Sequence, residues 1–266
     1  MPMSASALTL QEAVQTALEN NPSLQQTEYA IAVREADLKS AKGGKGVRVS
    51  ASSSFNMSKT EGNNHSKSLR GNISASLPLY SGNKLETQIK SAELDIETAR
   101  LNFYQAQDDL IYQVATAYVD ALESLATAKV DLQTEENYAA HENYIALLYD
   151  AGSKAKIDLL RAQVETSNAG QDTAKSHAAY EVNLVKLATL MSVDSVPNFT
   201  LEEFSTALEL VEIENFLALA DEKRNNLKAD AVNVEKGELN IELARADKRP
   251  TVSAEVSTGV SSVYDS

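Results

Sequence analysis

Several residue types on which common protein functions depend are missing from this sequence. Its 266 residues include no cysteine and no tryptophan, and only 10 glycines and 5 prolines. Without cysteine, disulfide bonds, thiolate-bound zinc and a thiol nucleophile are excluded. The three histidines lie far apart along the chain, and no glycine-rich phosphate loop or nucleophile elbow occurs. We therefore expect no enzyme activity, no cofactor and no metal site.

Positive charge is also scarce. Lysine and arginine total 24 against 38 aspartates and glutamates, which gives a formal net charge of −14. Nucleic-acid binding requires clusters of Lys and Arg that face the phosphates, so a nucleic-acid partner is not expected. The segment 47–80 is the exception, because Glu61 is its one acidic residue beside four basic ones. The excess of acid therefore lies in the other parts of the chain, which are predicted to be helical.

Long apolar runs are absent as well. No stretch approaches the eighteen or more apolar residues of a transmembrane helix. Residues 1–7 lack the charged and apolar regions of a signal peptide. Composition leaves open whether the protein is cytosolic or the mature form of an exported protein.

What the sequence does contain is one very long helical pattern. Residues 81–150 include one glycine, Gly82, and no proline. Apolar residues recur there at steps of three and four, with a mean of about 3.6, which is typical of a nearly straight α-helix. They are Leu85, Ile89, Ala92, Ile96, Ala99, Phe103, Ala106, Leu110, Val114, Ala117, Ala121, Leu125, Ala128 and Leu132. A helix over 82–150 would be about 100 Å long at 1.5 Å per residue.

Two segments before this helix alternate between apolar and polar residues. The pattern predicts strands at 47–57 and 69–79 with a polar loop between them, and a third strand at 251–263 whose partner strand is not found in the sequence. About eleven residues is the length of a tilted strand that crosses a bilayer. On the pattern alone, a half-buried hairpin in a soluble protein is the favoured interpretation.

Helical periodicity accounts for most of the remaining sequence. We predict helices at 9–43, with Thr9 and Glu12 as a capping box, at 155–191 and at 201–248, a helical hairpin tip at 149–158 and a linker at 192–200. On the 155–191 helix one stripe is apolar but is interrupted by Ser167 and Gln171, which indicates an incompletely dry seam. Its members are Leu160, Val164, Ala174, Ala178, Val182 and Val185.

The end of the chain repeats its beginning at an offset of 203 residues. Ala17 matches Ala220, Leu24 matches Leu227, and Val49-Ser50-Ala51 matches Val252-Ser253-Ala254. The order of a helix followed by a strand therefore occurs twice in the sequence. We interpret residues 1–200 as a first structural repeat and 201–266 as the start of a second. We expect the chain to be truncated after the first strand of this second repeat.

These patterns together resemble the TolC family of outer-membrane efflux proteins. The resemblance covers essentially the whole chain and is carried by three stretches: Leu10-Gln11-Glu12-Ala13 to Leu24, the turn Leu77-Pro78-Leu79-Tyr80-Ser81-Gly82, and the tip around Tyr149, Gly152 and Asp158-Leu159-Leu160. The family usually has proline where the first helix passes into the first strand. This sequence has Val47 there, although the second repeat keeps Pro250.

The resemblance implies a fold that is mainly α with β, in which long antiparallel helices form a periplasmic α-barrel and strands form a transmembrane β-barrel. It implies a homotrimer in the outer membrane and periplasm of a Gram-negative bacterium. Its implied function is passive export of drugs, small molecules or proteins, as in multidrug efflux or type I secretion. Its implied partners are a periplasmic adaptor (membrane fusion protein), an inner-membrane pump and outer-membrane lipid.

The resemblance also implies roles for particular residues. The tip residues Tyr149, Ala151, Gly152 and Leu159 are candidates for adaptor docking, and Asp158 is the candidate for a contact that holds the gate closed. Pro78 and Gly82 form the turn from strand to helix. From the sequence alone, Asp158 is equally well interpreted as an acid favoured near a helix N-terminus. For Gly152 the favoured interpretation is a helix terminator.

Other interpretations of the whole chain remain. A soluble, flagellin-like filament or scaffold protein shares the long helices and the lack of cysteine, although the repeat and the Pro-Leu-Tyr-Ser-Gly turn argue against it. A periplasmic adaptor would need a lipoyl-like and a β-barrel half, which the sequence does not contain. If the strands do span a membrane, three of them leave an open edge, so we expect the chain alone not to form a pore.

Overall fold

The computed structural model describes residues 8–60, 64–193, 201–202 and 213–265. Within these ranges the fold is mainly α with one antiparallel sheet, as predicted. The elements are α1 (Leu10–Asn20), α2 (Pro22–Gly43), β1 (Arg48–Thr60), β2 (Asn64–Tyr80), α3 (Lys84–Asp150), α4 (Lys156–Met191), α5 (Ile213–Lys223), α6 (Asn225–Ala246) and β3 (Val252–Asp265).

The chain forms two compact units, and they do not follow the predicted division at residue 200. One unit contains residues 1–26 and 105–217, and the other contains 27–104 and 218–266. Each unit therefore combines segments of both predicted repeats. Three of the described helices, α2, α3 and α5, have residues in both units.

The first predicted helix, 9–43, is in fact two helices. The capping box is present at its start, because Thr9 Oγ1 accepts a hydrogen bond from the Glu12 N–H at 3.1 Å and Glu12 Oε2 accepts one from the Thr9 N–H at 3.0 Å. The break lies at Asn21, which is extended with φ −68° and ψ 118°. Pro22 disfavours a helical conformation for the residue before it, and Asn21 Oδ1 then caps α2 by accepting from the Ser23 N–H at 2.9 Å.

The predicted helix 201–248 needs a similar correction. Leu201 forms an isolated parallel bridge with Leu8, and residues 203–212 lie outside the described part of the chain. The remaining part is two helices, separated at Arg224, which is extended with φ −66° and ψ 116°. α5 begins and ends 203 residues after α1, and α6 begins and ends 203 residues after α2. This is the offset of the sequence repeat.

The three strands form one antiparallel sheet in the order β1-β2-β3. All three differ from their predicted bounds, and β1 and β2 extend into the predicted polar loop until Thr60 pairs with Asn64. Strand pairing joins backbone groups, so polar side chains do not end it. The third strand pairs with β2 from Val252 to Asp265, so the expectation that it lacks a partner in this chain is wrong.

The long helix α3 has 67 residues and begins two residues later than predicted. Gly82 and Asn83 have φ of +63° and +71°, a left-handed conformation that cannot belong to the helix. The predicted stripe is buried or half-buried from Leu85 to Ala128. Its last member, Leu132, is 50% exposed.

The helix α4 begins at Lys156 rather than 155 and buries a different face from the apolar stripe seen in the sequence. Every member of that stripe from Leu160 to Val185 is exposed. The buried residues are Ala162, Ala169, Ser176, Leu184, Leu187, Ala188 and Met191. Small residues dominate this face because they allow close approach to neighbouring helices. One such neighbour is α1, whose C-cap residue Asn21 donates through Nδ2 to the Leu190 carbonyl oxygen at 3.1 Å.

Of the predicted linker 192–200, Ser192 is the left-handed C-cap of α4, and residues 194–200 lie outside the described part. Among the described residues, no helix has both the length and the apolarity that crossing a membrane requires.

Candidate functional site

The turn from β2 into α3 is built around a left-handed glycine. Gly82 has φ +63°, and a Cβ placed on it would lie 2.8 Å from the Cβ of Arg249 and 3.2 Å from the Ala246 carbonyl oxygen. The Arg249 guanidinium donates to the Gly82 carbonyl oxygen at 3.2 Å. Glycine is therefore required here both by backbone conformation and by close approach. Pro78 lies at the irregularity where the pairing with β3 shifts, between Pro78 and Tyr80.

Charged residues surround the same turn. Lys84 Nζ lies 2.7 Å from Asp247 Oδ1, and Lys45 Nζ lies 2.9 Å from Glu86 Oε1. The hydrogen bond from Lys45 is the largest cause that lowers the pKa of the Glu86 carboxyl below its ordinary value. Pro78 and Gly82 were predicted from the sequence, whereas Arg249, Asp247 and Lys45 were not. The offset of 203 residues also matches Lys45 with Lys248, and this match is a sequence signal that could have pointed to charged residues at this turn.

The sheet has one polar and one apolar face. Phe55 pairs with Leu69, Ala51 with Ile73, and Ala75 with Val256, so apolar residues meet across all three strands. The alternate positions carry mostly serine, and Ser50 Oγ lies 2.8 Å from Ser74 Oγ. The apolar face is largely exposed, with Phe55 at 62% and Val256 at 75%. A contiguous exposed apolar surface is typical of a site that contacts another apolar phase or partner.

The hairpin tip consists of the end of α3, a short connection at 151–155 and the start of α4. The Ser153 N–H donates to the Leu148 carbonyl oxygen at 2.8 Å, and the Gly152 N–H donates to the Tyr149 carbonyl oxygen at 2.9 Å. With Gly152 at φ +73°, this is a Schellman motif that ends α3. A Cβ on Gly152 would meet nothing within 4 Å.

The predicted tip residues lie together at this end of the hairpin. Tyr149, Ala151 and Gly152 are exposed, and Leu159 is half-buried. Tyr149 lies in the last turn of α3 and Leu159 in the first turn of α4. The turn residues Pro78 and Gly82 belong to the other compact unit, so the predicted residues form two separate sites.

Asp158 has a local role in the helix. Its Oδ2 accepts a hydrogen bond from the Ala155 N–H at 3.3 Å, which satisfies one free donor at the start of α4. Ala155 has no side-chain oxygen to return the bond, so only half of a capping box exists. The carboxylate also lies in the first turn, where the helix dipole favours negative charge.

A groove of about 850 Å³ runs between α3 and α4 in the unit that contains residues 105–217. Tyr112 and Thr116 of α3 and Val182 and Val185 of α4 contribute to its walls. Val182 and Val185 belong to the exposed stripe of α4. Helical spacing predicted this stripe as an incompletely dry seam. Periodicity shows that residues share a face, but it does not show which way that face points.

The described residues contain no group of three or more His, Cys, Asp or Glu side chains that is placed to hold a metal ion. The groups with raised pKa among them are the hydroxyls of Tyr118 and Tyr180, and burial is the main cause in both.

The long helices, the sheet and the glycine turn together are the architecture of the outer-membrane channel proteins. The sequence matches the family described as outer membrane efflux protein over residues 13–193, which is more than half of the chain. The chain therefore belongs to the outer membrane efflux protein family. A comparison with curated proteins gives no match.

Solved structures of channels share the fold. The outer-membrane channel OprN is 19% identical with a TM-score of 0.74, and the alignment covers 97% of this chain and 63% of that one. The CmeC outer membrane channel of Campylobacter jejuni is 13% identical with a TM-score of 0.73, covering 97% and 61%. The open MtrE outer membrane channel of Neisseria gonorrhoeae is 19% identical with a TM-score of 0.71, covering 97% and 62%. This chain thus spans somewhat less than two thirds of the length of each.

Proposed function

We propose that this chain is part of an outer-membrane channel-tunnel that serves as the passive exit conduit of a tripartite efflux or type I secretion system. The observation that carries the proposal is the sheet, whose exposed apolar face lies opposite a face rich in serine. Lipid would contact the apolar face, and water would fill the space beside the polar one. Family membership supports the same function. The location is the outer membrane and periplasm of a Gram-negative bacterium.

The first test places a charge on either face of β3. Val256→Arg would expose a cation to lipid, which costs about 2–4 kcal/mol near the bilayer midplane. Ser257→Arg is the matched control, because residue 257 is the next one along and lies on the polar face. The complete protein that contains this chain is expressed in a Gram-negative host, and its amount in the outer-membrane fraction is measured.

We expect Val256→Arg to be depleted from the outer membrane and Ser257→Arg to be retained there. A different result would support the flagellin-like alternative: both variants and the unaltered protein occur in equal amounts in the soluble fraction and assemble into filaments. Retention of Val256→Arg at the level of Ser257→Arg would contradict the proposed contact with lipid.

The exposed stripe of α4 supports assembly into a homotrimer. Val164, Val182 and Val185 are 59%, 54% and 50% exposed, and the last two also line the groove beside α3. Burying this apolar surface against a second copy would stabilise an oligomer. We expect Val182→Glu to lower the trimer fraction in analytical ultracentrifugation. Lys175→Glu is the control, because its side chain lies on α4 outside the groove and is 65% exposed. An equal effect of both changes would contradict this interface.

The hairpin tip is proposed to meet the periplasmic adaptor through Tyr149, Ala151, Gly152 and Leu159, with an inner-membrane pump beyond it. Asp158 is proposed to hold the closed gate. Its local bond to the Ala155 N–H uses one carboxylate oxygen, Oδ2, so a contact through the other is compatible with it. We expect Asp158→Ala to increase the open probability of the channel in bilayers, while Ala155→Ser leaves it unchanged.

A further inference from the structure

The polar face of the sheet carries very few charges. It consists of alternate residues on the three strands: Arg48, Ser50, Ser52, Ser54, Asn56, Ser58 and Thr60 on β1; Asn64, Ser66, Ser68, Arg70, Asn72, Ser74 and Ser76 on β2; Ser253, Glu255, Ser257, Gly259, Ser261, Val263 and Asp265 on β3. Among these described positions Arg48, Arg70, Glu255 and Asp265 are charged. The field along this face therefore depends on four side chains.

Two of the four charges, those of Arg48 and Glu255, offset each other. Arg48 and Glu255 both pair with Ser76, from opposite sides, so they lie at one level of the sheet. Two strand spacings, about 10 Å, separate their backbones. At that level the chain contributes one positive and one negative charge, and the net charge is zero.

Arg70 has no such counterpart at its own level of the sheet. Its neighbours across the sheet are Ser54 and Ser261, which are both neutral. The acidic residues of this face lie at other levels: Asp265 is level with Ser66, about 13 Å along β2 from Arg70, and Glu255 is level with Ser76, about 20 Å away. Both distances exceed the Debye length of about 10 Å at 0.1 M salt, so both charges are screened there. Arg70 is exposed, and no ion pair to it occurs within the described part of the chain.

We propose that Arg70 is a selectivity-determining residue that favours anions in the strand-lined part of the pore. This inference rests on the proposed function, because it requires the polar face to line a conduit. A guanidinium stays charged at every relevant pH, and a strand holds it at one level. Low-dielectric walls focus the field of such a charge into the aqueous space, and each further copy of the chain adds another. Anionic solutes are therefore the substrate class that this level of the pore favours.

The test measures ion selectivity of the complete channel that contains this chain, reconstituted in planar bilayers under a gradient of potassium chloride. Removing the charge with Arg70→Gln is expected to lower the chloride-to-potassium permeability ratio by about twofold at 0.1 M salt. Arg70→Lys is expected to keep the original ratio. Lys67→Gln is the matched control, since it removes the same charge from the same strand but from the opposite face, where residue 67 pairs with Met57.

A ratio that is unchanged in Arg70→Gln, or one that falls equally in Lys67→Gln, overturns this proposal while leaving a conducting channel intact. Absence of conductance from the unaltered protein overturns the proposed function itself, and this inference with it. The same experiment therefore distinguishes a failure of this inference from a failure of the proposed function.

Discussion

Tyr118 is fully buried in the unit that contains residues 105–217, and it joins segments that are distant in sequence. Its hydroxyl lies 2.7 Å from the Leu8 carbonyl oxygen and 2.9 Å from the Glu202 carbonyl oxygen, and it accepts a hydrogen bond from the Glu202 N–H at 3.1 Å. These bonds reinforce the bridge between Leu8 and Leu201. One side chain of α3 therefore fixes the start of the first repeat beside the start of the second.

Removing that hydroxyl should destabilise the protein. We expect Tyr118→Phe to lower the free energy of unfolding by about 1–3 kcal/mol, because buried backbone groups would lose a partner. Tyr112→Phe is the control, as Tyr112 is 74% exposed. Urea denaturation followed by circular dichroism gives both values. Equal stability of the two variants would mean that the Tyr118 bonds contribute nothing.

We expect Tyr118 also to make the stability of the fold depend on pH in the alkaline range. Burial raises the pKa of the Tyr118 hydroxyl above its ordinary value of 10.0. The folded state thus favours the neutral phenol, so this contribution to stability is complete below pH 10 and is lost as pH rises through the folded pKa. We expect the melting temperature to fall less steeply above pH 10 in Tyr118→Phe than in the unaltered chain. Tyr180, whose pKa burial also raises, is present in both and cancels in the comparison.

A comparison of two glycines distinguishes the cost of a left-handed backbone from the cost of close packing. Gly82 and Gly152 both have positive φ, but only Gly82 has atoms within 4 Å of the position that a Cβ would occupy. Gly152→Ala should cost about 1 kcal/mol for the left-handed conformation alone. Gly82→Ala should cost more, because the Arg249 Cβ and the Ala246 carbonyl would have to move. Thermal denaturation of both variants measures the difference, and equal costs would show that the turn relaxes freely.

At the scale of elements, the start of α4 is incompletely capped. Ala155 is the N-cap residue and makes no side-chain hydrogen bond, although Asp158 already supplies its half of a capping box. We expect Ala155→Ser to raise the free energy of unfolding by about 0.5–1 kcal/mol, because the serine hydroxyl can accept from the Asp158 N–H. Ala151→Ser is the control at a position that is not an N-cap. A lower stability of Ala155→Ser would contradict this account of the helix start.

The helices also show what periodicity can and cannot predict. The stripe of α3 from Leu85 to Ala128 was predicted and is buried or half-buried. The stripe of α4 was equally regular, yet it is exposed, and a face of mostly alanine and leucine is buried instead. Large apolar residues follow the same spacing whether their face packs inside the chain or against another molecule.

At the scale of the whole molecule, the sheet has two open edges. Within the described part of the chain β2 is the central strand, so one side of β1 and one side of β3 are not paired with another strand. Such groups cost several kcal/mol each in lipid, and three strands cannot close on themselves. We expect residues 1–266, purified alone, to give no stable and uniform single-channel conductance in bilayers. Uniform conductance steps from this chain alone would contradict that expectation.

The sequence by itself determined the kinds of elements, their order and their repetition. Apolar spacing distinguishes a helix from a strand, and Pro22, Gly82 and Gly152 set the ends of helices through their own backbone preferences. These features are local, so they can be predicted from the sequence. The offset of 203 residues likewise returned in the bounds of the helices.

Only the tertiary structure decided which faces are buried and which residues meet. The pairing of β3 with β2, the contact of Arg249 with Gly82 and the bonds of Tyr118 all join positions more than 80 residues apart. Nothing in local periodicity encodes such pairings, because they depend on how whole helices and strands pack together. The isolated charge of Arg70 is of the same kind, since it depends on which residues the sheet register places beside it.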